Sequence, residues 1–125
     1  MKDVAFITGD IHTFFAGQVH PGGRQSTGPS VATEFVGGSV TSLGIGPTLG
    51  LSDQQAAPIV NNATALNPHL RYANFADRGY GVLEAKPDEL RVEFKSPQTT
   101  QQPTSPIRTL ARFRVPRGTP RVDRA

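Results

Sequence analysis

The sequence predicts an α+β chain made mostly of short strands, with one main helix near residues 52–66. Three observations point there. Glycine and proline are dense, 13 and 11 of 125 residues, which favours turns and short strands over a helical bundle. Runs after residue 70 alternate apolar and polar residues with the period of a half-buried strand. Only one stretch repeats its apolar residues at three- and four-residue steps, as a helix with one buried face does. The length suits one domain and not two. Apolar residues make up 36% of the chain, low for a self-contained core, so a piece of a larger domain is expected.

Taken in order, residues 4–8 (Val-Ala-Phe-Ile-Thr) are an apolar, β-rich run that fits a strand buried on both faces. Such a strand needs neighbours on both sides, so either later strands cover it or its partners lie outside this sequence. Residues 14–19 read as a second strand. Residues 20–30 hold Pro21, Gly22, Gly23, Gly28 and Pro29 and read as a loop, with His20 in solvent. A third strand at 31–36 stops at Gly37-Gly38, and 41–50 is irregular. In the helix, Ser52 or Asp53 serves as N-cap, and Ala56, Ile59, Val60, Ala63 and Leu66 share one face. Pro58 kinks it or delays its start, and Asn67-Pro68 ends it.

Four strands follow, at 70–75, 79–85, 89–95 and 109–115. Leu90, Val92 and Phe94 alternate with Arg91, Glu93 and Lys95 behind a turn at Lys86-Pro87-Asp88, an antiparallel hairpin with one wet face. Residues 96–106 are polar and read as a loop. Residues 116–125 read as a basic, disordered tail.

Charge and composition exclude several functions. The net charge is +3, and residues 107–125 hold six Arg against one Asp. An Arg-rich end invites a nucleic-acid reading, but no stacking aromatics are interleaved beyond Phe113, so an edge strand and frayed terminus are preferred. The absence of cysteine removes disulfides, thiolate ligands and thiolate nucleophiles. The first residues lack the extended apolar region of a secretory signal, and no run is long enough to span a bilayer. Gly22-Gly23 and Gly44-Ile45-Gly46 lack the Lys-Ser/Thr of a phosphate loop.

The chemistry lies in Gly9-Asp10-Ile11-His12, directly after the first strand. Asp offers a hard oxygen and His a borderline nitrogen, two residues apart on a loop, and such a pair can bind a metal. Loops at the carboxyl ends of sheet strands are where sites in layered enzymes lie. By itself the pair also fits a turn carboxylate beside a solvated imidazole. Glu34 stands inside an apolar strand, where a carboxylate needs a partner or a function. His69 follows the helix end, where an imidazole usually bonds the last carbonyls. Arg78 sits beside Gly79 and is able to contact phosphate, or to form a surface ion pair.

Five blocks together resemble the alkaline phosphatase D-like (PhoD-like) metallophosphoesterase family. They are Phe6-Ile7-Thr8-Gly9-Asp10-Ile11-His12, Ala32-Thr33-Glu34-Phe35-Val36-Gly37, Ser39-Val40-Thr41-Ser42, Asn67-Pro68-His69-Leu70-Arg71-Tyr72 and Arg78-Gly79-Tyr80-Gly81-Val82. The end of the chain from Pro103 also resembles the end of these enzymes. The resemblance implies the C-terminal portion of a two-sheet metallophosphoesterase sandwich over residues 1–115, followed by the tail at 116–125. It implies divalent or trivalent metals (iron or calcium), phosphate-ester substrates, and members often exported to the periplasm or cell exterior. By the same likeness Asp10 and His12 are the metal ligands, and Glu34, His69 and Arg78 are candidates for second-shell or phosphate contacts. Gly-Asp-x-His stands where related phosphoesterases carry Gly-His-x-His. The family's motif continues with Ser and Trp where this chain has Thr13-Phe14.

The family's other ligands lie upstream of this motif and are absent from the sequence. The chain is therefore expected to be inactive alone, with a missing N-terminal half as partner and no complete catalytic set of its own. The alternative is a non-catalytic interaction module that uses exposed strand edges and the Arg-rich tail.

Overall fold

The computed structural model describes residues 2–23, 26 and 28–125. Among them the order is β1 (Val4–Thr8), β2 (Phe14–Val19), β3 (Ala32–Val36), α1 (Ile45–Thr48), α2 (Asp53–Leu66), β4 (Leu70–Asn74), β5 (Tyr80–Ala85), β6 (Glu89–Pro97), β7 (Ile107–Pro116) and β8 (Asp123–Arg124). Two four-stranded sheets result, ordered β1-β3-β2-β4 and β5-β6-β7-β8. All pairings are antiparallel except β1 with β3.

Period-two alternation makes the sandwich. Leu90, Val92 and Phe94 point to the interior while Arg91, Glu93 and Lys95 point out, as the hairpin pattern predicts. Phe14 and Ala16 of β2 and Phe35 of β3 meet Val92 and Phe94 of β6 and Ala111 and Phe113 of β7. Phe94, 1% exposed, lies 4.9 Å from Phe14, 6.4 Å from Phe35, 5.8 Å from Tyr72 and 5.6 Å from Phe113, ring centre to ring centre. Aromatic pairs at these separations add to plain area burial. A turn at Gly79, φ 151°, feeds β5 into its sheet, and a Cβ there would lie 1.9 Å from the Lys95 carbonyl oxygen. Only glycine fits.

The main helix begins as the sequence predicts. Ser52 and Gln55 form a reciprocal capping box, and Pro58 lies inside the helix. Its apolar face is less buried than expected: Ala56 is buried, whereas Ile59 and Leu66 stand in solvent. The reason is that α2 rests on β4, the outermost strand, which is too narrow to cover two helical turns. None of the described helices is long and apolar enough to cross a membrane.

Three expectations need correction. β1 is not buried on both faces; it is a sheet edge, and Phe6 and Ile7 are half exposed because β3 is its sole strand neighbour among the described residues. The segment 116–125 is not a disordered tail. Val122 is 5% exposed within the core, β8 pairs with Phe113 and Arg114, and the Arg121 guanidinium holds Asp123 at 2.6 Å. The apolar Val122 between turn residues and the alternating Arg-Val-Asp-Arg pattern explain why it docks. The region 41–50 contains the short helix α1 rather than only irregular chain. In the 20–30 loop, Arg24, Gln25 and Thr27 lie outside the described residues, while the His20 Nδ1 bonds the Gly28 carbonyl at 2.9 Å.

Two outcomes follow from this packing. Phe94→Ala should cost about 3–5 kcal/mol in urea unfolding, since the ring bridges both sheets and the cavity left cannot collapse. Burial raises the Tyr72 phenol above its ordinary value of 10.0, the Asn74 hydrogen bond opposing this. The folded chain thus holds that proton more tightly than the unfolded one. Its contribution to stability is complete below pH 10 and is lost as pH rises through the raised folded-state value. Alkaline unfolding curves of the wild type should show this slope, and Tyr72→Phe should flatten it.

Candidate functional site

Asp10 and His12 sit on the loop that leaves the carboxyl end of β1. Their backbone is unusual: Asp10 has φ 72° and His12 φ 56°, both left-handed. Ile11 N donates to the Gly9 carbonyl at 2.9 Å, which closes a tight three-residue turn around Asp10. Asp and His are among the few side chains that visit this region at modest cost, which accounts for their tolerance here. Two such residues within three positions store strain, and strain of this kind collects where side chains must be presented in one direction.

The loop is braced from the far side. Thr13 is fully buried, and its hydroxyl accepts the Ile45 N–H at 3.1 Å. This ties the residue after His12 to the start of α1. Gly44 fits against the same backbone, where a Cβ would lie 2.8 Å from the His12 carbonyl oxygen. Gly46 N donates to the Phe75 carbonyl at 3.1 Å, so α1 is pinned to both the His12 loop and the end of β4. Asp10 is exposed; His12 is partly buried and faces a hollow of about 270 Å³ shared with Leu43, Ile45 and Leu49. The imidazole is therefore not sealed within the core.

The remaining candidates separate. Glu34 lies on the outer face of β3, and the Thr8 hydroxyl donates to its Oε1 at 3.5 Å, two residues before Asp10. Arg78 follows β4 on the same end of the molecule as His12, and its Nη1 donates to the Thr100 hydroxyl at 3.1 Å. It lines a hollow of about 300 Å³ that shares Leu43 with the one beside His12. His69 lies elsewhere. Its carbonyl accepts from Gln18 N at 2.9 Å and it precedes Leu70, which pairs with Gly17, while Phe14 pairs with Asn74 at the other end of β4. Several residues of strand, on the order of 15 Å, thus divide His69 from the loop that carries His12.

The sequence reading missed the neighbours that shape this end. Asn74 Oδ1 accepts from the Ala76 and Asp77 N–H groups, and its Nδ2 donates to Asp77 Oδ2 at 2.8 Å. Arg108 pairs with Asp77. An Asn ending a strand is a turn signal that was available. Closely spaced Gly44 and Gly46 likewise mark a close backbone approach.

In kind, Asp10 and His12 suit a hard or borderline metal ion. In number they fall short, because no group of three or more His, Asp or Glu side chains able to hold a metal occurs among the described residues. A cavity of about 530 Å³ lies at the opposite end of β1 beside Val4 and Ala5, away from this pair.

Comparison with known proteins agrees with the architecture. The sequence profile of the PhoD-like phosphatase family matches residues 1–94. The alkaline phosphatase D of Bacillus subtilis (strain 168) is 27% identical over 113 residues, which are 90% of this chain and 18% of that protein. A solved structure described as the structure of PhoD superposes with a TM-score of 0.75 at 25% identity, covering 98% of this chain and 22% of the other. The chain thus spans about a fifth of the length of either relative. Profile and fold together place this chain in the PhoD-like phosphatase family.

Proposed function

We propose that this chain supplies Asp10 and His12 as two ligands of a metal-dependent phosphate-ester hydrolase whose remaining ligands come from polypeptide outside it. The observation that carries the reading is the loop itself: a braced, left-handed turn at a strand end that presents a carboxylate and an imidazole to solvent. Family membership supports phosphate-ester chemistry, and the relatives' greater length leaves room for the missing donors. When bound, metals in such sites hold the phosphate and lower the pKa of water.

The chain's own residues have distinct parts in this reading. Asp10 and His12 donate to metal. Thr13, through Ile45, fixes the direction in which His12 leaves the strand. Arg78 stands on the same rim, where its guanidinium is available to a phosphate oxygen. Glu34 bonds Thr8 and steadies the strand end rather than meeting substrate. His69 is too far along β4 to share these tasks.

The test is hydrolysis of a chromogenic phosphate ester. The purified chain should show none with added iron or calcium. Mixed with the rest of a PhoD-like phosphatase, it should restore activity that a chelator removes. In that mixture His12→Ala and Asp10→Asn should each lower kcat at least about 100-fold. Restored activity indifferent to both substitutions would end the proposal. A second outcome separates strain from function. Asp10→Gly should raise the stability of the chain by on the order of 1 kcal/mol in urea, because glycine relieves the left-handed turn, while it abolishes restored hydrolysis.

A further inference from the structure

Most arginines of this chain lie beside a carboxylate or stand in solvent. Arg91, Arg108, Arg112, Arg114 and Arg121 each have an acidic partner. Arg71 and Arg117 bond neutral oxygens from exposed positions. Arg78 is different. It is half-buried, while the other described arginines are exposed. Its Nη1 donates to the Thr100 hydroxyl at 3.1 Å, and it has no carboxylate partner among the described residues. A partly buried guanidinium without a counter-charge is costly, because burial disfavours a charge that nothing offsets.

The fold withholds the obvious counter-charge. Asp77 is the adjacent residue, but Arg108 of β7 pairs with its Oδ1 and Asn74 Nδ2 donates to its Oδ2 at 2.8 Å. The backbone then fixes Arg78 from both sides. Before it, the Asn74 side chain accepts the Ala76 and Asp77 N–H groups. After it, Gly79 N donates to the Ser39 carbonyl at 2.9 Å and packs against Lys95 where only glycine fits. Thr100 is held independently, on a closed loop. Gln98 N donates to the Pro106 carbonyl at 2.9 Å, and Thr99 N to the Ser105 hydroxyl at 3.0 Å. Guanidinium and hydroxyl are therefore set in place before any ligand arrives.

Both face a hollow of about 300 Å³ that Gln98, Gln101 and the engaged Asp77 also line. It adjoins the hollow beside His12. Leu43 borders both, and α1 runs between them, with Pro47 on the Arg78 side and Ile45 and Thr48 on the other. A molecule that reacts at Asp10 and His12 thus meets Arg78 with the part next to its reacting group.

We infer that Arg78 and Thr100 form a subsite for a second anionic group of the substrate, a carboxylate or phosphate carried by the leaving alcohol rather than the phosphate that is cleaved. The inference rests on the proposed function for the position of the reacting centre. The guanidinium offers paired N–H donors to two oxygens of such a group. The Thr100 oxygen already accepts from Arg78, so its own proton is free to donate to the same anion. The bound oxyanion supplies the counter-charge that Asp77 does not.

The first arm of the test is binding to the chain alone, with metal chelated and ionic strength held constant with chloride. Inorganic phosphate and acetate are titrated separately while NMR follows the Arg78 Nε and Thr100 amide signals. At least one anion should move both signals to saturation, and the tighter of the two names the group. Arg78→Gln should weaken that binding at least about tenfold, and Thr100→Val about threefold. Thr100 is an exposed loop residue, so its variant decides the matter if Arg78→Gln disturbs folding. Asp10→Asn with His12→Ala should bind as the wild type does. Saturation by neither anion, or equal shifts at exposed Arg71 and Arg117, would mean general screening and overturn the inference.

The second arm is hydrolysis by the chain mixed with the rest of a PhoD-like phosphatase. A nitrophenyl phosphate is compared with the same ester bearing the tighter anion on its ring. The ratio of kcat/KM values should favour the anion-bearing ester at least about tenfold. Arg78→Gln should erase that preference and Arg78→Lys should keep part of it. No preference, or one that survives Arg78→Gln, sinks the subsite while the proposed function stands. Anion binding at Arg78 without restored hydrolysis sinks the proposed function and leaves the anion site in place.

Discussion

Everything in this molecule is arranged around Phe94. Its ring reaches from the second sheet to touch Phe14 and Phe35 of the first, and Tyr72 and Phe113 pack on its remaining sides. Burial of several large aromatics at one point offsets much of the chain entropy that a Gly- and Pro-rich sequence loses on folding. The same ring holds β2 in place, and β2 begins two residues after His12. Core and candidate site are thereby joined through Thr13 and Phe14, one tied to α1 and the other to the aromatic cluster.

That cluster is off-centre. It closes the β4 and β8 flank and leaves β1 and β5 with half-covered apolar residues. A sandwich whose core is finished on one side and open on the other has the form expected of part of a larger layered domain.

Most strands were legible because period-two alternation is a direct consequence of the pleat. β6 is the clearest case: Leu90, Val92 and Phe94 lie inside and Arg91, Glu93 and Lys95 outside. The helix was legible from Ser52 and the spacing of Ala56 and Val60, but its burial was not, since that depends on how wide a surface β4 offers. The docking of Val122 was missed for a related reason: six arginines dominate the composition of that end, while a single valine determines where it lies. For the site, Gly-Asp-x-His placed both candidate ligands on one loop. It did not reveal their left-handed backbone, which belongs to a tight local turn closed by Ile11 N on the Gly9 carbonyl, or the Thr13 brace, which depends on α1 some thirty residues further on. His69 was grouped with the site by sequence block, yet the antiparallel run of β4 carries it to the other end.

The strain at Asp10 and His12 and the open edge of β1 meet on one strand. Left-handed residues cost free energy, and an uncovered apolar strand invites misassociation. A chain selected only for its own stability would lose both, the first by glycine and the second by a lysine or proline. Both make physical sense if β1 is an interior strand of a larger sheet, covered on each side and ending at a site to which other segments contribute. Under that constraint the neighbouring strand fixes the height of the loop, and the turn aims the two side chains. On the proposed function, the exposed Phe6 and Ile7 and the left-handed backbone of Asp10 and His12 are features of one strand and the turn that ends it.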